Sequence, residues 1–579
     1  MSATIESLRS SGLSPEAMIR QAYAALDAYG DPALVITRVD VEENLARARS
    51  HAGSDLPLAG MPFVIKDNID YAGLPTSAGC PGYAYIPQQH ATVVQRLLDA
   101  GAICIAKVNL DQFATGLVGV RSPYGIPRNP LDAHLIPGGS SSGSAVAVSA
   151  GIVPFALGTD TAGSGRVPAV CCRILGCKPS RGLLSTFGVV PAVRSLDCVS
   201  IFAHAAADCQ ELLGLLAAVD EQDPFSRADA QAPQRPLRRL AIPQELEHGG
   251  CTATAAAVQA GLAILRDSGI ELVPIDWRPF ADCARLLYEG PWVAERSAAV
   301  GDAIAANCVG LDPTVSAIIA GGHNFSAIDA HRAAYRLAEL RAQIAPLWQQ
   351  VDGLVVPTVP RVPTIAEVAA EPVAANSRLG TYTNFTNLLD LCALALPIDL
   401  DNAATPAGLT LLAPAGQDRA LLAAAQQLHP RLARRCGARS TPPPVAPASA
   451  PSLPGWHEIL VLGAHLRGEP LNPRLVALGG RFLAEERLAD HYRMYLLDDG
   501  PLPKPALLPV APGAGLAMPA ERWALPPAGL AALLAEIPAP LGLGQLRLNN
   551  GQTCLGFLAS LPANHAYPDI TNPQGWRGR

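Results

Sequence analysis

PGGSSSGSAVAVSAGIVPFALGTDTAGSGRVP, residues 137–168, sets two serine-bearing glycine loops around one apolar segment. It opens on a glycine–serine run, Gly138 to Ser144, and continues into small apolar residues, Ala145 to Ala150, that read as a tightly packed helix. Val153 to Leu157 reads as a buried strand, and a second glycine-rich loop, Gly158 to Pro168, follows it. Working outward, Pro62–Ile65 is a short apolar strand ending in Lys66, Asp67 and Asn68. Thr92–Ala100 is a helix stopped by Gly101, and Ile103–Ala106 is the next strand. Ser14–Gly30 reads as a helix, with Ser14 as N-cap and Pro15 at its first position. Downstream, Asp329–Gln350 reads as a long helix and Gly353–Val356 as a strand. Strands alternating with helices imply an α/β layer structure with parallel segments.

Taken alone, a Gly/Ser run is a flexible linker; here strand and helix signals enclose it. It is not a phosphate loop, because no Gly-Lys-Ser/Thr ends it. Nor does Ser164 sit in a G-x-S-x-G elbow, since Ala162 and Gly163 precede it. A serine hydroxyl is a poor nucleophile unless a base lies within hydrogen-bond reach. No histidine accompanies either loop, so a lysine must serve; Lys66, Lys107 and Lys178 compete. A lysine acts as base only when neutral, and burial can lower its pKa from about 10.4 toward 7.

The ordered set Val64-Ile-Lys-Asp-Asn, Gly138-Gly-Ser-Ser-Ser-Gly-Ser-Ala, Gly158-Thr-Asp-Thr-Ala-Gly-Ser-Gly-Arg-Val-Pro and Gly176-Cys-Lys-Pro-Ser resembles the amidase signature family, over roughly residues 20 to 430. The resemblance implies a mixed β-sheet core covered by helices. It also implies Ser164 as nucleophile, Ser140 as proton shuttle behind a cis peptide at Gly139, and Lys66 as base. The N–H groups of Thr161, Ala162, Gly163 and Ser164 would form the oxyanion hole. Asp160 and Arg166 flank the nucleophile and are expected to pair and hold the loop. One departure stands out. Relatives carry an aromatic and amide residues where this chain has Val170 to Arg173; Arg173 is read as either solvent-facing or paired.

Three further segments resemble allophanate hydrolases: Arg194-Ser-Leu-Asp-Cys-Val-Ser-Ile-Phe-Ala, Tyr288-Glu-Gly-Pro-Trp-Val-Ala-Glu-Arg296, and the C-terminal region from Val461-Leu-Gly-Ala-His-Leu to Gly575-Trp-Arg. Allophanate is urea carrying a carboxylate. The resemblance implies that Arg296 takes the carboxylate, with Tyr288 two helical turns earlier on the same side and Gly139 beside the substrate. The C-terminal region resembles γ-glutamylcyclotransferase-like folds, which implies a small α+β barrel-like domain in which His465 is the one titratable side chain on the opening turn. The reaction needs no metal or other cofactor. A homodimer and a functional link to urea carboxylase or to cyanuric acid breakdown are further implications; with no biotin-attachment domain in this sequence, the carboxylase is expected to be a separate protein.

Composition sets the limits. Of 579 residues, 49% are hydrophobic and 16% charged, and the net charge of −7 comes without an acidic block or a basic run. That argues against nucleic acid as partner. The polar N-terminus and the lack of a long apolar run predict neither a leader nor a membrane span. Thirteen cysteines with no CxxC pair predict reduced thiols, no metal knuckle and a cytoplasmic location. Residues 440–454, STPPPVAPASAPSLP, cannot build a core. The organisation expected is an amidase domain at 1–435, a Pro/Ala/Ser linker at 436–455 and a C-terminal domain at 456–579. Two other readings stay open: another small-amide amidase, malonamidase-like or an amidotransferase subunit, and a catalytically inactive binding or scaffold protein.

Overall fold

A computed structural model of the chain describes residues 4–228, 234–400, 405–438, 456–498, 502–511, 513–549, 553–561 and 567–578. They fall into two compact units, Met1–Val445 and Ala446–Arg579. Cys436 is buried, Gly437 N donates to Arg173 O (2.8 Å) and Ala438 N to Ser149 O (3.0 Å). These three residues, assigned by composition to the linker, therefore belong to the first unit. The rest of the Pro/Ala/Ser segment, 439–455, lies outside the described residues.

The first unit is built on an eleven-stranded sheet: β1 (Val35–Arg38), β2 (Pro62–Lys66), β3 (Ile103–Val108), β4 (Phe155–Thr159), β5 (Leu175–Lys178), β6 (Val199–Ala203), β7 (Arg239–Pro243), β8 (Glu271–Ile275), β9 (Gly353–Pro357), β10 (Leu391–Ile398) and β11 (Ala407–Pro414). Their order is β1-β3-β2-β4-β6-β5-β10-β11-β9-β7-β8. The central strands are apolar throughout rather than alternating, because helices cover both faces. Along β2, Phe63 and Ile65 pack with Phe155 and Leu157 on one face, while Val64 joins Ala156 and Phe202 on the other. β3 and β4 both run parallel to β2, with Ile65 opposite Lys107 on one side and Leu157 on the other. The C-terminal ends of the three strands thus emerge together and bring their polar residues into contact, with Lys66 Nζ 2.6 Å from Thr159 Oγ1, at the end of the sheet where α/β proteins bind ligands.

Local chemistry explains the helix boundaries. The helix Pro15–Tyr29 is capped by Ser14, whose side chain accepts from Ala17 N, and closed by Gly30 in the left-handed region. The helix expected over 329–350 runs Ala327–Ile344 and then tightens into a 3₁₀ turn, Ala345–Gln349. Pro346 has no N–H to continue the α ladder. In the second unit, a five-stranded sheet orders Arg481–Arg487, Pro519–Leu525, His457–Val461, Thr553–Ala559 and Leu541–Arg547. Its outer strands meet at a bridge between Leu488 and Leu548, with Ala489 N donating to Arg547 O (2.9 Å). The sheet therefore curls until its edges touch. Among the described residues no helix is long and apolar enough to cross a membrane, and all thirteen cysteines are free thiols.

Candidate active site

Lys66 ends β2 with no exposed surface; its Nζ lies 2.7 Å from Ser140 Oγ and 2.6 Å from Thr159 Oγ1. Ser140 Oγ is 2.9 Å from Ser164 Oγ, so the two hydroxyls and the amine form one continuous chain. The Gly139–Ser140 peptide is cis. Burial pushes the Lys66 ammonium down from 10.5 to about 7; Asp111, Asp197 and Asp160 pull the other way, and Arg296 adds to the lowering. A lysine with that value is substantially neutral at neutral pH and can accept a proton. The rivals are committed elsewhere. Lys107 pairs with Asp67 (3.2 Å) and donates to Pro75 O (2.8 Å), and Lys178 donates to Pro179 O (2.6 Å).

The loop that carries Ser164 is held from both ends. Arg166 grips Asp160 through Nε and Nη2, both at 2.9 Å, and Gly165 N donates to the same carboxylate (3.0 Å). Both side chains are fully buried. Burial raises the Asp160 carboxyl, yet the guanidinium beside it leaves it below its usual value. The expected ion pair is present. Within the loop, the N–H groups of Thr161, Ala162, Gly163 and Ser164 have no hydrogen-bond partner among the described residues. Gly163 sits at φ +148°, and a Cβ there would lie 2.6 Å from Thr383 Oγ1, so only glycine fits this turn. Thr161 Oγ1 donates to Asp197, which also accepts from Ala192 N (2.9 Å) and Val193 N (3.2 Å); burial pushes its carboxyl up to about 6.

Arg296 and Tyr288 are brought together, but not on one helix. The first helix, Arg278–Glu289, ends at an extended Gly290, and a second, Trp292–Ala305, starts after Pro291. The two side chains meet across that break. Arg296 is 1% exposed. Its Nη1 donates to Thr115 Oγ1 (2.9 Å) and its Nη2 approaches Tyr288 OH (3.3 Å), while its Nε has no partner in the structure. Gly139 is close to the chain of hydroxyls, but its N–H is committed to Leu117 O (2.8 Å).

Residues 17–422 match the family model described as amidase. This chain belongs to the amidase family. Residues 457–579 of the amidase match a second model, described as the allophanate hydrolase C-terminal domain. The chain is 41% identical over 87% of its length to a urea amidolyase of Lachancea kluyveri and 40% identical over 90% to one of Saccharomyces cerevisiae. It spans only 28% and 29% of those two relatives. Among solved structures, Kluyveromyces lactis allophanate hydrolase aligns over 100% of this chain and 98% of its own, with a TM-score of 0.75 at 37% identity. The Kluyveromyces lactis urea amidolyase aligns over 99% of this chain and 36% of its own, with a TM-score of 0.76, also at 37% identity.

Several polar partners in this amidase receive no role from motif reading, although Thr159 and Asp197 lie inside the quoted motifs. Thr159, Asp111, Asp197 and Thr115 each act across long sequence separations, and only Thr159 has a local signal, as the residue ending the strand parallel to β2. Arg173 is a paired residue: it is buried at φ +55° and lies 3.6 Å from Asp399. In the C-terminal unit, His465 lines a largely apolar cavity of about 230 Å³ with Lys504, Glu536 and Phe557, and stacks on Phe557 at 5.4 Å. Burial, followed by Lys504, pushes its imidazole below the usual value. That direction favours the neutral ring, which can accept a proton. Among the described residues no cluster of three His, Cys, Asp or Glu could hold a metal ion.

Proposed function

We propose that this amidase hydrolyses allophanate to ammonia and carbon dioxide through an acyl-enzyme on Ser164. The observation that carries the reading is the unbroken chain Ser164–Ser140–Lys66, at 2.9 and 2.7 Å, ending on a buried lysine shifted to about 7. Lys66 takes the Ser140 proton as Ser140 takes that of Ser164, and Ser164 Oγ attacks the ureido carbonyl. The oxyanion is met by the unpartnered N–H groups of residues 161–164, which are worth most where water is excluded. The proton returns through Ser140 to the leaving nitrogen, and ammonia departs. Water, activated along the same path, then releases an N-carboxylated carbamate, whose breakdown gives carbon dioxide and a second ammonia.

Substrate choice rests on Arg296. A buried guanidinium with a free Nε suits a planar carboxylate, which it grips bidentately, and Tyr288 OH and Thr115 keep it in place. The likeness to the allophanate hydrolase of Kluyveromyces lactis across the whole chain supports this substrate over glutamine or simple amides. The C-terminal unit, which we read as γ-glutamylcyclotransferase-like, offers the His465 cavity to the N-carboxylated product. A biotin-dependent carboxylation of urea would supply the substrate, consistent with the urea amidolyase relatives, and a homodimer is the assembly to check by light scattering. The test is ammonia release from allophanate, malonamate, glutamine and propionamide. Allophanate turned over at least 100-fold faster than the others supports the reading; preference for a neutral amide overturns it.

A further inference from the structure

We propose that Asp111 is a positioning residue of the reaction: its carboxylate is the counter-charge that lets Lys66 hold the proton, and it locks the backbone beside the nucleophile. The proposal rests on reading Lys66 as the base.

Asp111 follows β3 and has no exposed surface. Its Oδ2 accepts from Gly119 N (2.9 Å) and Val118 N (3.2 Å), and its Oδ1 accepts from Arg121 N (2.9 Å). These are three donors and no acceptor, so the site is built for the ionised carboxylate, which only accepts. Burial pushes the carboxyl up, while Arg121 and the amides hold it toward the anion. Among the described residues no lysine or arginine lies within ion-pair distance of it. Arg121 is close but spends its guanidinium on Thr115 O (3.0 Å) and Pro372 O (2.7 Å).

That anion presses on the catalytic serines from behind. Asp111 N donates to Ser140 O (3.0 Å). A Cβ on Gly139 would come 2.0 Å from Asp111 Oδ2, and one on Gly116 would come 2.6 Å from it. Ser140 is thus bracketed, with Asp111 at its backbone and Lys66 Nζ at its hydroxyl. The other charges acting on Lys66 are Asp197, Asp160 and Arg296. Asp160 is neutralised by a two-point grip from Arg166. Asp197 is held by the Thr161 hydroxyl and two amides. Arg296 opposes a second positive charge. Asp67, next to Lys66 in sequence, is paired with Lys107. Asp111 is first among the charges that favour the ammonium at Lys66, and its carboxylate is fixed in place by three backbone amides.

This matters because the acylation step creates that ammonium on a fully buried side chain. As the Ser164 oxygen bonds to the carbonyl carbon, its proton passes to Ser140 and the Ser140 proton to Lys66; the charge persists until the leaving nitrogen takes the proton back. A fixed anion nearby stabilises this state, and burial magnifies the interaction. The same carboxylate fixes the segment that follows: Gly116 O lies 3.5 Å from Ser164 Oγ, and Thr115 Oγ1 receives Arg296 at 2.9 Å. One side chain therefore ties together base, nucleophile and substrate cation.

The test measures how fast phenylmethanesulfonyl fluoride labels Ser164 between pH 5.5 and 9, read by intact mass, in the full-length wild type and Asp111→Asn. This probe does not depend on which amide is the substrate. We expect the maximum rate to fall at least tenfold and the acid limb to move about one pH unit lower, so that the variant keeps a larger fraction of its own maximum at pH 6. A lowered maximum with the limb unmoved gives Asp111 a structural role only and overturns the proposal. If Asp111→Asn does not fold, Asp111→Ser, which leaves room for water at the amides, is read in the same way; two unfolded variants also overturn it. A wild type without an acid limb near 7 would instead remove Lys66 as the base, a separate failure.

Discussion

Replacing Arg296 by methionine tests the substrate reading on a side chain that the structure isolates well. Arg296 is 1% exposed and keeps its Nε free, with Thr115 Oγ1 and Tyr288 OH on its other nitrogens. Methionine fills much of the volume without charge, so repacking should cost less than about 1.5 kcal/mol and is shared by all substrates. What is lost selectively is a charge-assisted contact to the substrate carboxylate, worth about 1.5–3 kcal/mol. At about 1.4 kcal/mol per factor of ten, kcat/KM on allophanate should fall roughly 10- to 150-fold. A neutral amide of similar size has no carboxylate contact to lose, so its kcat/KM should fall by a factor at least roughly tenfold smaller. Initial rates of ammonia release on both substrates, with a thermal melt to confirm folding, give the comparison. Equal losses on the charged and the neutral amide would make Arg296 a structural residue and remove it from substrate choice.

Other outcomes follow from the same geometry. With the Lys66 pKa lowered to about 7, the base is neutral above that value, so kcat/KM should fall as pH drops below about 7 and level off above it. Asp160→Asn leaves Arg166 charged and buried without its partner and should cost about 3–5 kcal/mol of stability, read as a lower denaturation midpoint. His465→Ala should release the first ammonia at the wild-type rate and the second more slowly; identical time courses would remove any chemical role for the cavity.

Where the sequence is informative, the reason is local. Ser14, Pro15 and Gly30 carry cap chemistry that needs no tertiary help, and their helix follows them residue for residue. The two serine loops are legible because glycines and small residues between apolar strands leave few other readings. Lys66 could be singled out from Lys107 and Lys178 only by family resemblance; the physical reason, Asp67 and Pro75 beside Lys107, lies in contacts across the fold. Thr115 and Asp111 were invisible for the same reason, and Asp197, though inside a quoted segment, showed no sign of its bond to Thr161. The break at Gly290–Pro291 was written in the sequence, yet a spacing of eight residues still suggested one continuous helix face. Cys436 to Ala438 look like linker by composition and are held in place by Arg173 O and Ser149 O.

The most direct measurement is of Ser164 itself. The wild type is mixed with allophanate, quenched in acid within milliseconds and digested, and the peptide carrying Ser164 is weighed; Ser164→Ala is treated identically and its ammonia release followed. The account predicts a transient acyl mass on Ser164 in the wild type, and no adduct and almost no ammonia from a folded Ser164→Ala protein. A folded Ser164→Ala protein that turns over allophanate at the wild-type rate would contradict it.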